Sequence, residues 1–281
     1  MESDRASRTA ERVAVQRAVH QLVDAPKVFD DPLALRIIHP DTARRIRESP
    51  RDFNGIHDRF LRSFVSMRSR FAEDALREAY ARGVRQYVLL GAGFDTFAYR
   101  NPWPDLRVWE IDHPATQTVK MRRLQGARIA APPTLTFVAA DLSQVALREV
   151  LARHGCVLEA PVFFGWLGVL MYLDIEDVRS TLRLIASMPA GSGVAFDYAL
   201  PPDALGVVGR IIYKRVLRRV ASIGEPFKTF WQRPTADAEL RAAGFTAITD
   251  LGADEINARY FSGRADGLRV GPSGHVVAAR V

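Results

Sequence analysis

The spacing of apolar residues changes character about one third of the way along the chain. Up to residue 84, apolar side chains recur three and four positions apart, most clearly at 10–23 and 56–82, and this spacing predicts helices. The letters FDDPLA between these segments predict a turn. We therefore expect residues 1–84 to form an N-terminal helical cap that packs on the rest of the chain.

Beyond this cap, short apolar runs alternate with amphipathic segments. Five runs predict buried strands: QYVLL, LRVWEI, LTFVAA, APVFFGW and GVAFDYA. Helical spacing at 115–128, 145–154 and 175–188 separates several of them, which predicts a parallel sheet with helices on both faces. A helix at 203–222 and another near 234–242 follow, and then come the strands FTAITDL and HVVAARV. The expected fold is α/β, with seven mostly parallel strands and an antiparallel edge.

Composition excludes several classes of protein. A chain of 281 residues with 48% hydrophobic and 25% charged residues is typical of one large domain or two small ones. The one cysteine, Cys156, excludes an internal disulfide framework and a four-cysteine zinc module. No stretch reaches the ~20 apolar residues of a membrane span, and the first residues lack the apolar core of a secretory signal. We therefore expect a cytoplasmic protein with no membrane partner.

The charge balance is basic, with 39 Lys and Arg against 32 Asp and Glu and a formal net charge of +7. The arginines are interleaved with acids, which favours a small anionic substrate over nucleic acid. The basic face of the helix at 203–222 suits a membrane or nucleic-acid contact, but we prefer a solvated face on a helix that covers the active site. The six histidines have no metal-ligand spacing, so no metal is expected.

The strongest chemical signal is VLLGAGFDT, where a buried strand enters Gly91, Ala92 and Gly93 and then a predicted helix. Ligands of open α/β sheets bind beyond the carboxyl ends of the strands, and glycine lets a ligand approach the backbone. A dinucleotide site requires a third glycine over the pyrophosphate, but Thr96 stands there, and Asp95 would repel a phosphate. The motif therefore favours S-adenosylmethionine, with an NAD(P)-dependent oxidoreductase as a weaker alternative.

Acids follow the next two predicted strands. Asp112 ends the run VWEID nineteen residues after Gly93, where a carboxylate can accept hydrogen bonds from both ribose hydroxyls. Asp141 and Leu142 follow the third strand, where the acid can accept from the adenine amine and the leucine can pack on the ring. These features at successive strand ends predict a site for S-adenosyl-L-methionine, with S-adenosyl-L-homocysteine as the product.

Several segments resemble the leucine carboxyl methyltransferase family, in particular its bacterial branch, which includes polyketide carboxyl O-methyltransferases. They are LLGAGFDTFAYR, WEIDHPATQTVKMRRL, AADLS and the run from FFGWLGVLMYL to GVAFDYA, with MRSRFAEDAL and GEPFKTF in support. The resemblance extends from about residue 10 to 281. It implies a class I methyltransferase (Rossmann-like) fold, with a cofactor-binding core at 85–281 and a lid inserted at about 201–233.

The resemblance also implies roles for individual residues. Arg68 would hold the methionine carboxylate of the cofactor, with Arg70 as the alternative and Arg17 as a weaker second basic contact. Leu167 stands where the family usually has a glutamate, a departure that weakens the electrostatic attraction to the cofactor. The remaining predicted cofactor residues are Gly91, Ala92, Gly93, Asp95, Asp112 (with Glu110 as its alternate), Asp141 and Leu142.

The implied chemistry is methyl transfer to an oxygen, either a carboxylate or a hydroxyl, of a small organic molecule in natural-product biosynthesis. A carboxylate acceptor is ionised at pH 7 and requires no base, and His113 suits a helix start better than a base. Tyr172 and Tyr198, just beyond the fourth and fifth strands, are candidates for positioning the acceptor. The alternative is an S-adenosylmethionine-binding protein with lost or altered chemistry. The sequence leaves the choice between monomer and homodimer open.

Overall fold

The computed structural model describes residues 8–141, 146–222 and 224–281, which form one mixed sheet with helices around it. The α-helices are α1 (Arg8–Val23), α2 (Ala34–Ile37), α3 (Pro40–Glu48), α4 (Ile56–Ala81), α5 (Pro114–Gly126), α6 (Leu147–Arg153), α7 (Ile175–Ala186), α8 (Val207–Ala221), α9 (Arg233–Ala243) and α10 (Ala253–Tyr260). The strands are β1 (Gln86–Leu90), β2 (Arg107–Asp112), β3 (Leu135–Ala139), β4 (Phe163–Trp166), β5 (Gly193–Ala199), β6 (Ala247–Leu251) and β7 (Gly274–Arg280).

The sheet has the strand order β3-β2-β1-β4-β5-β7-β6. The first five strands are parallel to one another, and β7 is antiparallel to both β5 and β6. The chain moves outward from β1 to β2 and β3, and then crosses to the other side of β1 with β4. The crevice at the carboxyl ends of β1 and β4 is therefore the switch point where such sheets bind ligands. The predicted seven-stranded, mostly parallel sheet is confirmed.

Apolar clusters cover both faces of the sheet. On one face, Leu151, Val178 and Leu240 of the helices α6, α7 and α9 pack against the strands. On the other face, α4 contributes Met67 and Leu76 to a second cluster. Strands covered on both sides are expected to be apolar at every position, and all five residues of β1 are buried.

The N-terminal helices α1 to α3 share a third apolar cluster, which includes Val19 and Ile37. Phe94, beyond β1, and Leu124 of α5 belong to the same cluster, so the N-terminal helices pack directly on the sheet domain. The 26-residue α4 contacts both α1 and β5 and thereby links the two parts of the chain.

Two elements differ from the prediction. The helix expected after the glycine motif is wrong: within the described residues, the segment between β1 and β2 holds only a short 3-10 turn, Phe97–Tyr99. Pro102 and Pro104 limit how far a helix could extend here, because proline lacks an amide N–H and disfavours the helical conformation of the residue before it. The helix α10, between β6 and β7, is absent from the prediction.

The helix α8 occupies the predicted insertion between β5 and α9. Only Tyr213 and Val220 of its fifteen residues are buried. Its basic side chains are largely solvated as expected, but apolar side chains share the exposed surface. Among the described residues, no helix is both long and apolar enough to cross a membrane.

Candidate functional site

The glycine motif forms a tight loop at the switch point. The amides of Gly91 and Ala92 both donate to the carbonyl of Ile111, at 2.9 and 3.0 Å, which joins the loop to the end of β2. Gly91 has a φ of +70°, and a Cβ at this position would lie 2.4 Å from Cγ2 of Val169 in the loop after β4. Glycine is therefore required at 91 both for its backbone conformation and for the close approach of the two loops.

Asp112 lies at the end of β2 with its carboxylate against this loop. One oxygen accepts a hydrogen bond from the amide of Gly93, and the other accepts from the amide of His113 at 2.6 Å. Burial raises the pKa of Asp112, while these two amide bonds act in the opposite direction. Because a carboxylate oxygen can accept more than one hydrogen bond, the held side chain retains capacity for ligand hydroxyls.

The end of β3 runs beside Asp112. The amide of Ala140 donates to the carbonyl of Asp112 at 2.9 Å, and this places Asp141 next to it in the adjoining strand end. Asp141 is half-buried. Leu142 lies outside the described residues, so its predicted contact with a base stays a prediction.

Glu110, the alternate to Asp112, lies in a different environment. Its side chain is 1% exposed and forms an ion pair with Lys120 of α5 at 2.7 Å. Burial raises the pKa of Glu110 to about 7, and the ammonium of Lys120 opposes that shift. The geometry therefore favours Asp112, which is bonded to the loop, over Glu110 as the ligand-facing acid of β2.

Asp95 and His113 each accept a hydrogen bond from a backbone amide two residues later in the chain. Asp95 accepts a hydrogen bond from the amide of Phe97 at 2.7 Å, at the start of the 3-10 turn. The ring of His113 accepts from the amide of Ala115 at 3.2 Å and caps α5, so the prediction that His113 is a helix-start residue is confirmed. Because the loop lacks an α-helix, it also lacks the helix N-terminus on which a dinucleotide pyrophosphate rests.

On the other side of the crevice, Arg68 of α4 forms an ion pair with Asp197 of β5. Nη1 of Arg68 lies 2.9 Å from one carboxylate oxygen, and the amide of Gly168 donates to the other at 2.6 Å. Gly168 has a φ of +70°, and a Cβ there would lie 2.6 Å from Nη2 of Arg68. The guanidinium is therefore held flat against the loop after β4, which itself packs on the glycine loop through Val169.

Sequence reasoning missed Asp197. A usable signal was present, because Asp197 is the one charged residue in the fully buried run GVAFDYA. A buried carboxylate in an apolar strand requires a charged or hydrogen-bonding partner, and Arg68 and Gly168 supply it.

The other two arginine candidates are placed differently. Arg70 lies on the exposed side of α4 and pairs with Asp74 one turn later, at 2.9 Å. Arg17 is 4% exposed, pairs with Asp31 at 2.8 Å and donates to the carbonyl of Phe94. Arg17 thus anchors α1 to the residue that follows the glycine motif. Of the three arginines, Arg68 is the one placed beside Gly168.

Aromatic side chains pack together near this ion pair. Tyr172 packs edge-on against Phe227, with 5.1 Å between the ring centroids, and Phe227 lies 6.0 Å from Phe230. Tyr213 of α8 is buried and interacts electrostatically with Tyr172. Burial raises the pKa of Tyr172 to about 12. Leu167 is half-buried and packs on the apolar cluster beneath α4.

Tyr198 lies elsewhere. The structure corrects the prediction that Tyr198 faces the reacting group. Adjacent residues of a strand point to opposite faces, so Tyr198 lies across the sheet from Asp197. Its hydroxyl donates to Asp250 at 2.7 Å, and its ring stacks on His275 with centroids 5.0 Å apart. The hydroxyl therefore serves the antiparallel edge of the sheet.

The first turn of α1 closes over the crevice. The amide of Thr9 donates to Glu225, beyond α8, at 3.3 Å. A Cβ at Gly93 would lie 3.4 Å from Cβ of Ala10. Residues from the first turn of α1 and from the segment after α8 therefore meet above the glycine loop. The helix α1 connects that loop to the segment after α8.

The groups at this site differ in chemical character. They are a glycine loop with no side chains at positions 91 and 93, two acids at adjacent strand ends and one buried guanidinium, and aromatic rings lie nearby. This set fits a ligand with hydroxyl and amine groups at one end and a carboxylate at the other. In the described part of the chain, no group of three or more His, Cys, Asp or Glu side chains is arranged to hold a metal ion.

Comparisons with known proteins identify the family of the chain. The sequence model of the leucine carboxyl methyltransferase family matches residues 10–186. YktD of Bacillus subtilis strain 168, named as an S-adenosyl-L-methionine-dependent methyltransferase, is 30% identical over 304 aligned residues, covering 99% of each chain. A protein of Mycolicibacterium paratuberculosis with the same activity in its name is 35% identical, covering 70% of this chain and 66% of its own.

The fold also matches a solved structure. A DUF574 family protein from Streptomyces avermitilis superposes with a TM-score of 0.60 at 18% sequence identity. The superposition covers 98% of this chain and 97% of the other. At that level of identity, the likeness concerns the fold alone.

Proposed function

The chain belongs to the leucine carboxyl methyltransferase family, and from this we propose that it transfers a methyl group from S-adenosyl-L-methionine to a carboxylate oxygen of a small organic molecule. The acceptor we propose is a natural-product intermediate such as a polyketide acid, because the sequence motifs resemble the bacterial branch that includes such enzymes. One observation carries the proposal. Asp112, bonded to the glycine loop, and the buried Arg68 lie on opposite sides of one crevice.

In this proposal the two sides of the crevice hold the two ends of the cofactor. Asp112 accepts hydrogen bonds from the ribose hydroxyls, and Asp141, in the next strand end, accepts from the adenine amine. The backbone of Gly91 and Gly93 allows the ligand to lie close to the loop. Arg68 donates to the methionine carboxylate, for which a guanidinium is the natural bidentate partner.

The protein's part in the reaction is mainly positioning. When bound, S-adenosyl-L-methionine supplies a methyl group on a sulfonium, which is already a good leaving group. The acceptor oxygen must therefore be held in line with that methyl group and kept from water. The first turn of α1 and the segment around Glu225, which meet above the glycine loop, are suited to exclude water.

A carboxylate acceptor agrees with the titration of the nearby side chains. A carboxylate is ionised at pH 7 and attacks without a base, whereas an alcohol or phenol benefits from one. Tyr172, beside the ion pair of Arg68, stays protonated at pH 7 because burial raises its pKa to about 12. His113 is engaged as a helix cap. Neither group is suited to act as a general base.

The body of the acceptor would contact the aromatic side chains. Tyr172 lies near the ion pair and packs against Phe227, and the buried Tyr213 of α8 lies in the neighbourhood of Tyr172. Aromatic rings of this kind can bury the apolar or aromatic part of a ligand. We therefore propose an acceptor with an apolar or aromatic body and one carboxylate.

The test is release of S-adenosylhomocysteine with aromatic and aliphatic carboxylic acids and with matched phenols. We expect turnover with an acid and a product that alkali hydrolyses, as it does a methyl ester. An alkali-stable product from the phenols alone would contradict the carboxylate assignment. Asp112→Asn should weaken cofactor binding about tenfold to a hundredfold, since loss of a charged acceptor costs roughly 1.5–3 kcal/mol. Asp105→Asn, an exposed acid before the opposite end of β2, should leave it unchanged.

Leu167 supports a second candidate function, a cofactor-binding protein with lost or altered chemistry. It stands where the family usually has a glutamate, so the negative charge of that side chain is missing beside the predicted cofactor. If position 167 only tunes affinity, Leu167→Glu should tighten cofactor binding and leave the product of the reaction unchanged. Wild-type protein that binds the cofactor but releases no S-adenosylhomocysteine with any acceptor would favour the second candidate.

A further inference from the structure

The helix α8 is weakly attached to the rest of the molecule. Of its fifteen residues, only Tyr213 and Val220 are buried, and both lie on one narrow stripe of the helix. A helix of this length usually buries a wide apolar face, because tertiary packing supplies most of its stability. The outer face of α8 is therefore left without a partner in the described part of the chain.

That outer face is unusually apolar. Ten large hydrophobic side chains among the described residues are more than a third exposed, and five of them lie on α8. Val207 and Val208 are 73% and 71% exposed, and Ile211 is 52% exposed. Single exposed apolar side chains need no explanation, but a contiguous group marks an interaction surface.

The same helix is strongly cationic. Its sequence VVGRIIYKRVLRRVA contains five basic residues and no acid. The two characters are separated along the axis, because exposed apolar side chains dominate the first two turns and Lys214, Arg215, Arg218 and Arg219 dominate the last two. The surface therefore offers an apolar end and a cationic end to one partner.

The charge pattern selects among possible partners. A second copy of this chain would bring two cationic helices together, which like-charge repulsion opposes. Nucleic acid would pair with the arginines but would leave the valines and isoleucines without a contact. The surface of an anionic bilayer satisfies both ends, with aliphatic side chains among the acyl chains and cations at the phosphate groups.

We propose that α8 docks the protein reversibly on the surface of anionic lipid bilayers. This departs from the expectation of a purely solvated face, because that expectation did not account for the exposed apolar side chains. Tyr213 is on the buried side of the same helix and lies in the neighbourhood of Tyr172, so a docked α8 would lie between the bilayer and the crevice. The docking itself does not depend on methyl transfer and can be measured without cofactor.

The experiment is sedimentation of the full chain with two kinds of vesicles, one of phosphatidylcholine alone and one of phosphatidylcholine mixed with phosphatidylglycerol. We expect binding to the mixed vesicles and little to the neutral ones. Salt should weaken the binding, because it screens the attraction between the arginines and the lipid headgroups.

Two double variants, each with a control, test whether α8 is the surface that binds the vesicles. Ile211→Ser with Ile212→Ser should weaken vesicle binding about tenfold, since two aliphatic side chains leave the acyl region. Arg215→Glu with Arg219→Glu should weaken it about tenfold or more, because two attractions become repulsions. The controls are Val157→Ser and Arg148→Glu, exposed residues near α6, and these should bind like the wild type. A thermal melt of each variant verifies that it is folded.

Four outcomes would overturn the proposal. They are no vesicle binding by folded wild-type protein, equal binding to neutral and anionic vesicles, α8 variants that bind as well as the controls, and a stable dimer in solution that the isoleucine variants dissociate. The last outcome would assign the surface to a second copy. Because vesicle binding is assayed without cofactor, a failure here leaves the proposed methyl transfer untouched.

Discussion

The two sides of the crevice present their functional groups in different ways. At the ends of β1 and β2, backbone amides hold the acid, as Gly93 and His113 hold Asp112. At the ends of β4 and β5, side chains from distant elements meet, and Arg68 reaches Asp197 across 129 positions of sequence. The first side is organised by short loops next to the strands, and the second side is organised by the packing of α4 on the sheet.

This difference predicts how each side responds to change. Backbone amides that hold an acid remain when a neighbouring side chain is replaced, so the first side should tolerate replacement of the side chains around Asp112, apart from the glycine that the loop requires at position 91. The second side depends on a buried ion pair, and removal of one partner leaves an uncompensated charge in the core. Among the charged groups of the two sides, the largest effects of single substitutions should therefore occur at Arg68 and Asp197.

Arg68→Ala should have the largest effect. It leaves the carboxylate of Asp197 buried without its cation, which should lower the free energy of unfolding by about 3–5 kcal/mol. It should also weaken cofactor binding at least about tenfold through loss of a charged donor. Chemical denaturation and calorimetric titration with S-adenosylhomocysteine measure the two effects.

Arg68→Lys and Arg70→Ala separate the roles of the arginines. Lysine keeps the charge and should restore part of the stability, but it cannot reproduce bidentate geometry and should not restore cofactor affinity. Arg70 is exposed, and among the described residues its guanidinium pairs with Asp74 of its own helix, so Arg70→Ala should change stability by less than about 0.5 kcal/mol. A greater loss of affinity in Arg70→Ala than in Arg68→Ala would transfer the cofactor role to Arg70.

Glu110→Gln sharpens the contrast between two acids of the same strand. Burial raises the pKa of Glu110 from 4.5 to about 7. Between these two pH values, Glu110 therefore keeps its proton in the folded protein but has lost it in the unfolded chain. The free energy of unfolding should therefore fall as pH rises through this window, by up to about 1.4 kcal/mol per pH unit. Glu110→Gln should flatten that slope in urea unfolding at stepped pH.

Cofactor affinity provides the second readout for this variant. Glu110 faces Lys120 rather than the glycine loop, so Glu110→Gln should bind S-adenosylhomocysteine like the wild type. Glu149→Gln, an exposed acid of α6, is the control for the pH slope and should change nothing. Loss of affinity in Glu110→Gln, comparable to that in Asp112→Asn, would show that both acids serve the ligand.

The two tyrosines provide the smallest expected effects. Tyr198→Phe loses one hydrogen bond to Asp250 and should cost about 1 kcal/mol of stability without changing the Michaelis constant of the acceptor. Tyr172→Phe should shift that constant a few-fold with little loss of stability, because Tyr172 lies in the aromatic surface of the crevice. Reversed readouts would mean that β5 presents Tyr198 to the acceptor.

Local patterns predicted the strand ends well. The run QYVLL before Gly91 and the acids after the next two strands lie where alternation and spacing placed them, because strands and tight turns depend on nearby residues. The helix after the glycine motif was predicted wrongly, although Pro102 and Pro104 were visible. Asp197 was missed, because its partner Arg68 lies in a helix far away in sequence.

By itself, the sequence determined the seven strands, the glycine loop, the acids at the strand ends and the family. These properties follow from periodicity, from backbone freedom at glycine and from short spacings, all of which are local. Only the tertiary structure decided that Arg68 rather than Arg70 lies beside Gly168, that Asp197 rather than Tyr198 faces it, and that α8 exposes its apolar residues. Burial and pairing depend on which distant elements pack together, and a single sequence does not display those contacts.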